Sequence, residues 1–164
     1  MKRNAVNTLV FVTIFSIAMG YLESAVVVYI RALYYPEGFA FPLKEISEQI
    51  AVTEIIREAA TRIMLLSISI LASSKAAERF AYFILSFAIW DIFYYVFLKF
   101  LLGWPESFLT WDILFMLPVS WVGPVTAPVI NSLMMIGLAL AIIFFSSRKQ
   151  KAVIAKGEWI LLIT

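Results

Sequence analysis

The sequence predicts an all-α integral membrane protein with four transmembrane helices, a short interfacial or re-entrant helix before the last span, and both termini cytoplasmic. Three observations carry this prediction. Hydrophobic residues make up 63% of the 164 positions and charged residues 15%, with a mean hydropathy of +0.93. A soluble domain of that composition would lack the polar surface to cover itself. The apolar residues fall into four runs of roughly 20, the length that crosses a bilayer as a helix. The basic residues gather in alternate loops, as the positive-inside rule requires.

The first span covers about Thr8 to Leu33, is interrupted by Glu23, and carries Arg31 near its far end. Lys2 and Arg3 ahead of Leu9–Gly20 imitate a secretory signal peptide. The apolar stretch runs on through Ala25–Ile30, however, so it is read as an uncleaved span. Tyr29, Tyr34 and Tyr35 gather at its end, as amphipathic rings do at a membrane interface. Pro36-Glu37-Gly38 then breaks the helix, and Pro42 is placed to open the next one.

The second span runs from about Ile50 to Ala72, after which Ser73 or Ser74 can cap the third helix. The third runs from about Phe80 to Leu102, with Asp91 inside it and Lys99 near its end, and Gly103-Trp104-Pro105 stops it. The apolar segment Thr110–Leu117, closed by Pro118, is too short to span. It is expected to form the interfacial or re-entrant helix, with Thr110 as N-cap and Asp112 in the positive first turn. The fourth span covers about Val125 to Phe145, with Pro128 and Asn131 early in it. The chain thus divides into a transmembrane domain over 1–147 and a basic cytoplasmic tail with an apolar end over 148–164.

Orientation follows from charge. Lys2, Arg3, Lys75, Arg79, Arg148, Lys149, Lys151 and Lys156, eight of the 13 basic residues, fall on one side of this arrangement. The opposite loops hold Lys44 against Glu37, Glu45, Glu48, Glu106 and Asp112. Both termini are therefore placed in the cytoplasm, and the setting is read as a prokaryotic cytoplasmic (inner) membrane. Tryptophans 104, 111 and 121 fit anchors at the outer interface.

Several chemistries are excluded. The chain has no cysteine and no histidine. It therefore has no disulfide, no thiol chemistry and no imidazole or thiolate ligand for zinc, copper or haem. No metal site and no cofactor is expected, and nothing points to a nucleic-acid partner. Proton handling or catalysis would rest on Asp, Glu, Lys, Arg, Tyr, Ser or Thr, and no catalytic residue can be named.

The sharpest feature is Glu54, Arg57, Glu58 and Arg62 at the outer mouth of the second span. Each charge inside a bilayer costs about 2.5–3.5 kcal/mol even on a lenient insertion scale, so such charges face the bundle interior and pair there. Glu54, Glu58 and Arg62 recur every four residues and line one helix face. Glu23, Asp91 with Tyr94, and Asn131 reach the same outer layer from the other three spans. These eight residues are the binding or proton-handling candidates of an outward-opening polar core. A purely structural reading, in which intramembrane salt bridges set the register of a four-helix bundle, stands beside it. Arg57 can also snorkel to the interface, and Glu54 can be solvated at the mouth.

Three functions are weighed on these residues. The first is transport or permeation of an ion or small solute, proton-linked through Glu58 and Asp91. The two halves of the chain show no repeat, so a pathway would be built in a homo-oligomer. The second is a non-catalytic subunit of a larger membrane complex, with other membrane subunits as partners beside the lipid bilayer. The third is an enzyme on a lipid or isoprenoid headgroup at the outer leaflet, with Arg57 and Arg62 holding a phosphate.

Overall fold

The computed structural model describes residues 3–39, 47–115 and 121–147. Helix α1 spans Arg3–Tyr34, α2 Glu48–Ala72, α3 Ala76–Leu102 and α4 Thr126–Ser147, and a two-stranded sheet of β1 (Trp111–Phe115) and β2 (Trp121–Pro124) precedes α4. The tail over 148–164, Pro42 and Pro118 lie outside the described residues.

Three helices are long and apolar enough to cross a membrane: Ala5–Tyr34, Ala76–Leu102 and Thr126–Ser146. Helix α2 has the length but not the composition. Any 18-residue stretch of it contains Arg57, Glu58 and Arg62. Much of the bundle's outer surface is apolar, with Phe11, Leu33, Leu71, Phe100 and Met134 among the exposed side chains. Such a surface suits lipid and not water.

Helix ends follow local chemistry. Helix α1 ends one residue before Tyr35, whose N–H bonds the Arg31 carbonyl, and the chain turns through Gly38 at φ +110°. Ser47 caps α2 by accepting the Ile50 N–H at 3.4 Å. Gly103, left-handed at φ +69°, closes α3 with its N–H on the Lys99 carbonyl. Lys99 reinforces that end by donating to the carbonyls of Gly103 and Pro105, at 2.9 and 2.8 Å.

Two expectations are corrected. The N-cap of α3 is Lys75, not Ser73 or Ser74. Ser73 instead closes α2, and its hydroxyl accepts the Lys75 N–H and donates to Glu78 at 2.6 Å. The segment read as an interfacial or re-entrant helix is, over 111–115, a strand. It pairs antiparallel with β2, Asp112 opposite Gly123, with a register shift between Ile113 and Phe115. A helix this short satisfies few of its own backbone groups, whereas the two antiparallel strands pair theirs with each other. Thr110 serves the base of that hairpin: its hydroxyl accepts the Ser107 N–H at 3.1 Å, and its carbonyl takes the Val125 N–H at 3.0 Å.

Helix α3 packs against each of the other three helices and holds most of the core. One cluster joins Val12, Ile84, Leu85, Ile89, Ala139 and Ile143, and a second joins Met19, Leu65 and Trp90. Ser16, Gly20 and Ser24 follow one another at intervals of four along the buried side of α1. At Gly20 the helices nearly touch: a Cβ there would lie 3.0 Å from the Trp90 carbonyl oxygen and 3.2 Å from the Tyr94 nitrogen. Small residues at such spacing let helix backbones approach closely. Ser24 exploits the proximity, donating to the carbonyls of Gly20 and Tyr94 at 2.7 and 3.0 Å.

Candidate functional site

The charged residues of the helices collect toward the end of the bundle that bears the hairpin, in three adjoining groups. The first joins α1 to α2. Arg57 donates from Nε and Nη2 to Glu54 Oε2 at 2.9 and 2.6 Å, and Nη1 is ion-paired with Glu23 Oε1. Thr61, one turn on, donates to the other oxygen of Glu23 at 3.4 Å. The i, i+3 spacing of Glu54 and Arg57 lets one guanidinium bridge its own helix and Glu23 across the interface. Arg57 therefore does not snorkel away, and Glu54 is buried, not solvated at the mouth. Glu58 and Arg62 pair with each other at i, i+4 one turn deeper, with Glu58 buried.

The second group lies between α3 and α4. Asp91, 5% exposed, accepts the hydroxyl of Ser132 at 2.8 Å. No ion pair to Asp91 occurs among the described residues. Asn131, placed by sequence in this layer, is exposed, and its buried neighbour Ser132 takes the role. The proposed shared cluster is thus divided: Glu23, Glu54 and Arg57 meet directly, Glu58 and Arg62 adjoin them on α2, and Asp91 bonds to α4.

The third group was not foreseen as a unit. Arg31 is ion-paired with Asp112 at 3.4 Å, across 81 residues of sequence, and Tyr95 donates to the second oxygen of Asp112 at 3.3 Å. The Arg31 guanidinium lies 3.7 Å from the Trp104 ring centroid and 4.3 Å from that of Phe39. Burial pushes the Asp112 carboxyl up to about 6, against the downward pull of Arg31, the Ile113 N–H and Tyr95. Tyr94, whose ring meets that of Tyr95 at 4.8 Å, lies within electrostatic range of Asp112, Arg31, Glu23 and Arg57.

The opposite end carries a smaller knot. Glu78 accepts from Ser73, from Lys75 at 2.8 Å and from Ser146, tying the turn between α2 and α3 to the end of α4. Between the two ends, among the described residues, the buried hydroxyls of Ser16, Ser69 and Ser86, one from each of α1, α2 and α3, each donate to a carbonyl of their own helix.

Serines were the weak signal in the sequence. Ser24 and Ser132 look like ordinary small residues of an apolar span, and only the four-residue repeat of Ser16, Gly20 and Ser24 marks a packing face. The pairing of Arg31 with Asp112 had no local signal. Comparison of the chain with protein-family models, with curated proteins and with solved structures finds no match.

Proposed function

We propose that the chain moves a proton or another small monovalent cation across a membrane through the carboxylates of its outer half, as a homo-oligomer. The observation that carries this is a charge imbalance. Among the buried and half-buried side chains of the hairpin half, Glu23, Glu54, Glu58 and Asp91 stand in the helices against Arg57 and Arg62, with Arg31 matched by Asp112. Glu48 and Lys99 stand outside this buried layer, exposed at helix ends, and Lys99 turns to the Gly103 and Pro105 carbonyls. Fully ionised, that layer carries two negative charges in a medium where each is costly. One belongs to the pair of glutamates that share Arg57, the other to Asp91, whose partner among the described residues is the Ser132 hydroxyl. A proton or cation at each place restores neutrality.

Four spans with both termini cytoplasmic, in a prokaryotic inner membrane, are part of this reading. Support for α2 as a span comes from its two faces: Glu54, Glu58 and Thr61 are buried, while Ile56, Ile63 and Leu71 are more than 60% exposed. Below the carboxylates the serines Ser16, Ser69 and Ser86 each donate to a carbonyl of their own helix, which argues against a polar path within one chain and places any pathway between copies. Recognition of a phosphate headgroup loses its support, because Arg57 is already engaged by two carboxylates and Arg62 by Glu58.

The test is proton flux into vesicles that hold a pH-sensitive dye and the reconstituted chain, driven by a potassium diffusion potential. Asp91→Asn and Glu23→Gln should each lower flux at least tenfold. Wild-type flux no greater than that of empty vesicles, for protons and equally for labelled sodium and tetramethylammonium, would end the proposal. A foreign protein in fixed ratio in the mild-detergent particle would replace it with the subunit reading.

A further inference from the structure

The cage around Arg31 has the chemistry of a ligand site. A planar cation lies over Trp104 and Phe39, whose ring planes meet at 86° and form a corner, both within the roughly 6 Å over which a ring attracts a cation. A carboxylate completes the cage on the hairpin side, and Tyr95 holds its far oxygen. The Arg31 to Asp112 separation of 3.4 Å exceeds the about 2.7–2.9 Å of a charge-assisted hydrogen bond. The rings and the field of the carboxylate hold the guanidinium together with one long hydrogen bond from Nη2 to Asp112. A cation without N–H donors therefore forfeits little by replacing it.

We propose that this cage is a binding site for weakly hydrated organic cations, of the guanidinium or quaternary ammonium class, and that Arg31 occupies it as a tethered stand-in. The inference rests on the cation-transport reading for its purpose and names a substrate class within it. Exchange is electrically balanced. An incoming cation keeps Asp112, 3% exposed, matched in charge, so no buried carboxylate is orphaned. Arg31 lies in the last turn of α1, where a long side chain can carry its charge out to water. Strongly hydrated sodium or a lysine ammonium gains less from ring faces than a diffuse charge does. A choline headgroup of the bilayer and a free organic cation share the required chemistry.

The experiment is equilibrium dialysis of the full chain in maltoside micelles against labelled guanidinium and tetramethylammonium, with sodium as control. Arg31→Ala should bind both organic cations at least tenfold more tightly than the wild type, and Trp104→Leu at least tenfold more weakly. Arg31→Lys, which retains a cation but not the flat guanidinium, should bind at least threefold more tightly and guards against loss of folding in the alanine variant. Affinity in folded Arg31→Lys and Arg31→Ala no higher than wild type, or affinity unmoved by Trp104→Leu, would overturn the proposal. Nanodiscs of anionic lipid with and without phosphatidylcholine separate the sources. Competition by the choline lipid assigns the cage to the headgroup, and its absence assigns it to the free cation. Dialysis requires no flux, so binding without movement of protons or of the bound cation would sink the transport reading alone, and cation or proton movement without binding would sink the cage alone.

Discussion

Asp112 shows how far a single side chain can depart from what its neighbours in sequence suggest. Within Thr110-Trp111-Asp112 it looks like a helix-starting acid, yet it reaches Arg31 from a strand and is buried there. Its carboxyl titrates at about 6 in the folded chain against an ordinary 3.8. The folded state thus binds this proton more tightly than the unfolded chain does. The stability that Asp112 contributes is complete below about pH 4 and is lost as pH rises through 6, a change of up to about 3 kcal/mol. Thermal unfolding of wild type and Asp112→Asn across pH 4–7 should diverge by that slope, with the asparagine variant flatter. Parallel curves would refute the assignment. The neighbouring case of Asn131 and Ser132 has the same moral. One residue along a helix is a rotation of about 100°, so composition at a given depth says which helix is polar but not which atom faces inward.

At the scale of elements, the helices were legible because length and hydropathy determine them, and their ends came within a few residues of the expected places. The hairpin was not legible, since a short apolar run bounded by proline and glycine suits a strand as readily as a helix. What the sequence does carry, in the spacing of Ser16, Gly20 and Ser24, is the close contact of α1 with α3. Gly20→Ala places a methyl group 3.0 Å from the backbone oxygen of Trp90 and 3.1 Å from the Phe93 Cβ. It should cost about 1–3 kcal/mol of stability. Gly137→Ala on α4, where a Cβ meets nothing within 4 Å, should be neutral or stabilising by up to about 1 kcal/mol. Equal thermal shifts for the two variants would show that the α1–α3 contact has room to spare.

For the whole molecule, the sequence located an outer layer with charge on α1, α2 and α3 and only a neutral polar residue, Asn131, on α4, but not its division into three groups. That division depends on which helices touch: Asp91 on α3 bonds to Ser132 of α4, whereas Arg57 on α2 pairs with Glu23 of α1. The disputed element is α2, too charged to pass as a span by composition and yet apolar on its outer face. Since the chain has no cysteine of its own, single reporters decide the matter. Ser47→Cys and Ser107→Cys should react with an impermeant maleimide only from outside the cell, and Ser74→Cys only after the membrane is opened. Reaction of Ser47→Cys and Ser74→Cys from the same side would remove α2 from the spans. The surplus of carboxylates over guanidiniums has an electrical consequence as well. In the proposed orientation these charges sit part-way into the membrane field, where a full crossing at 100 mV is worth about 2.3 kcal/mol per charge. A cation that enters from the outer side to neutralise them is drawn inward by a negative interior. The membrane voltage, no less than the concentration outside, then governs how often those carboxylates are filled.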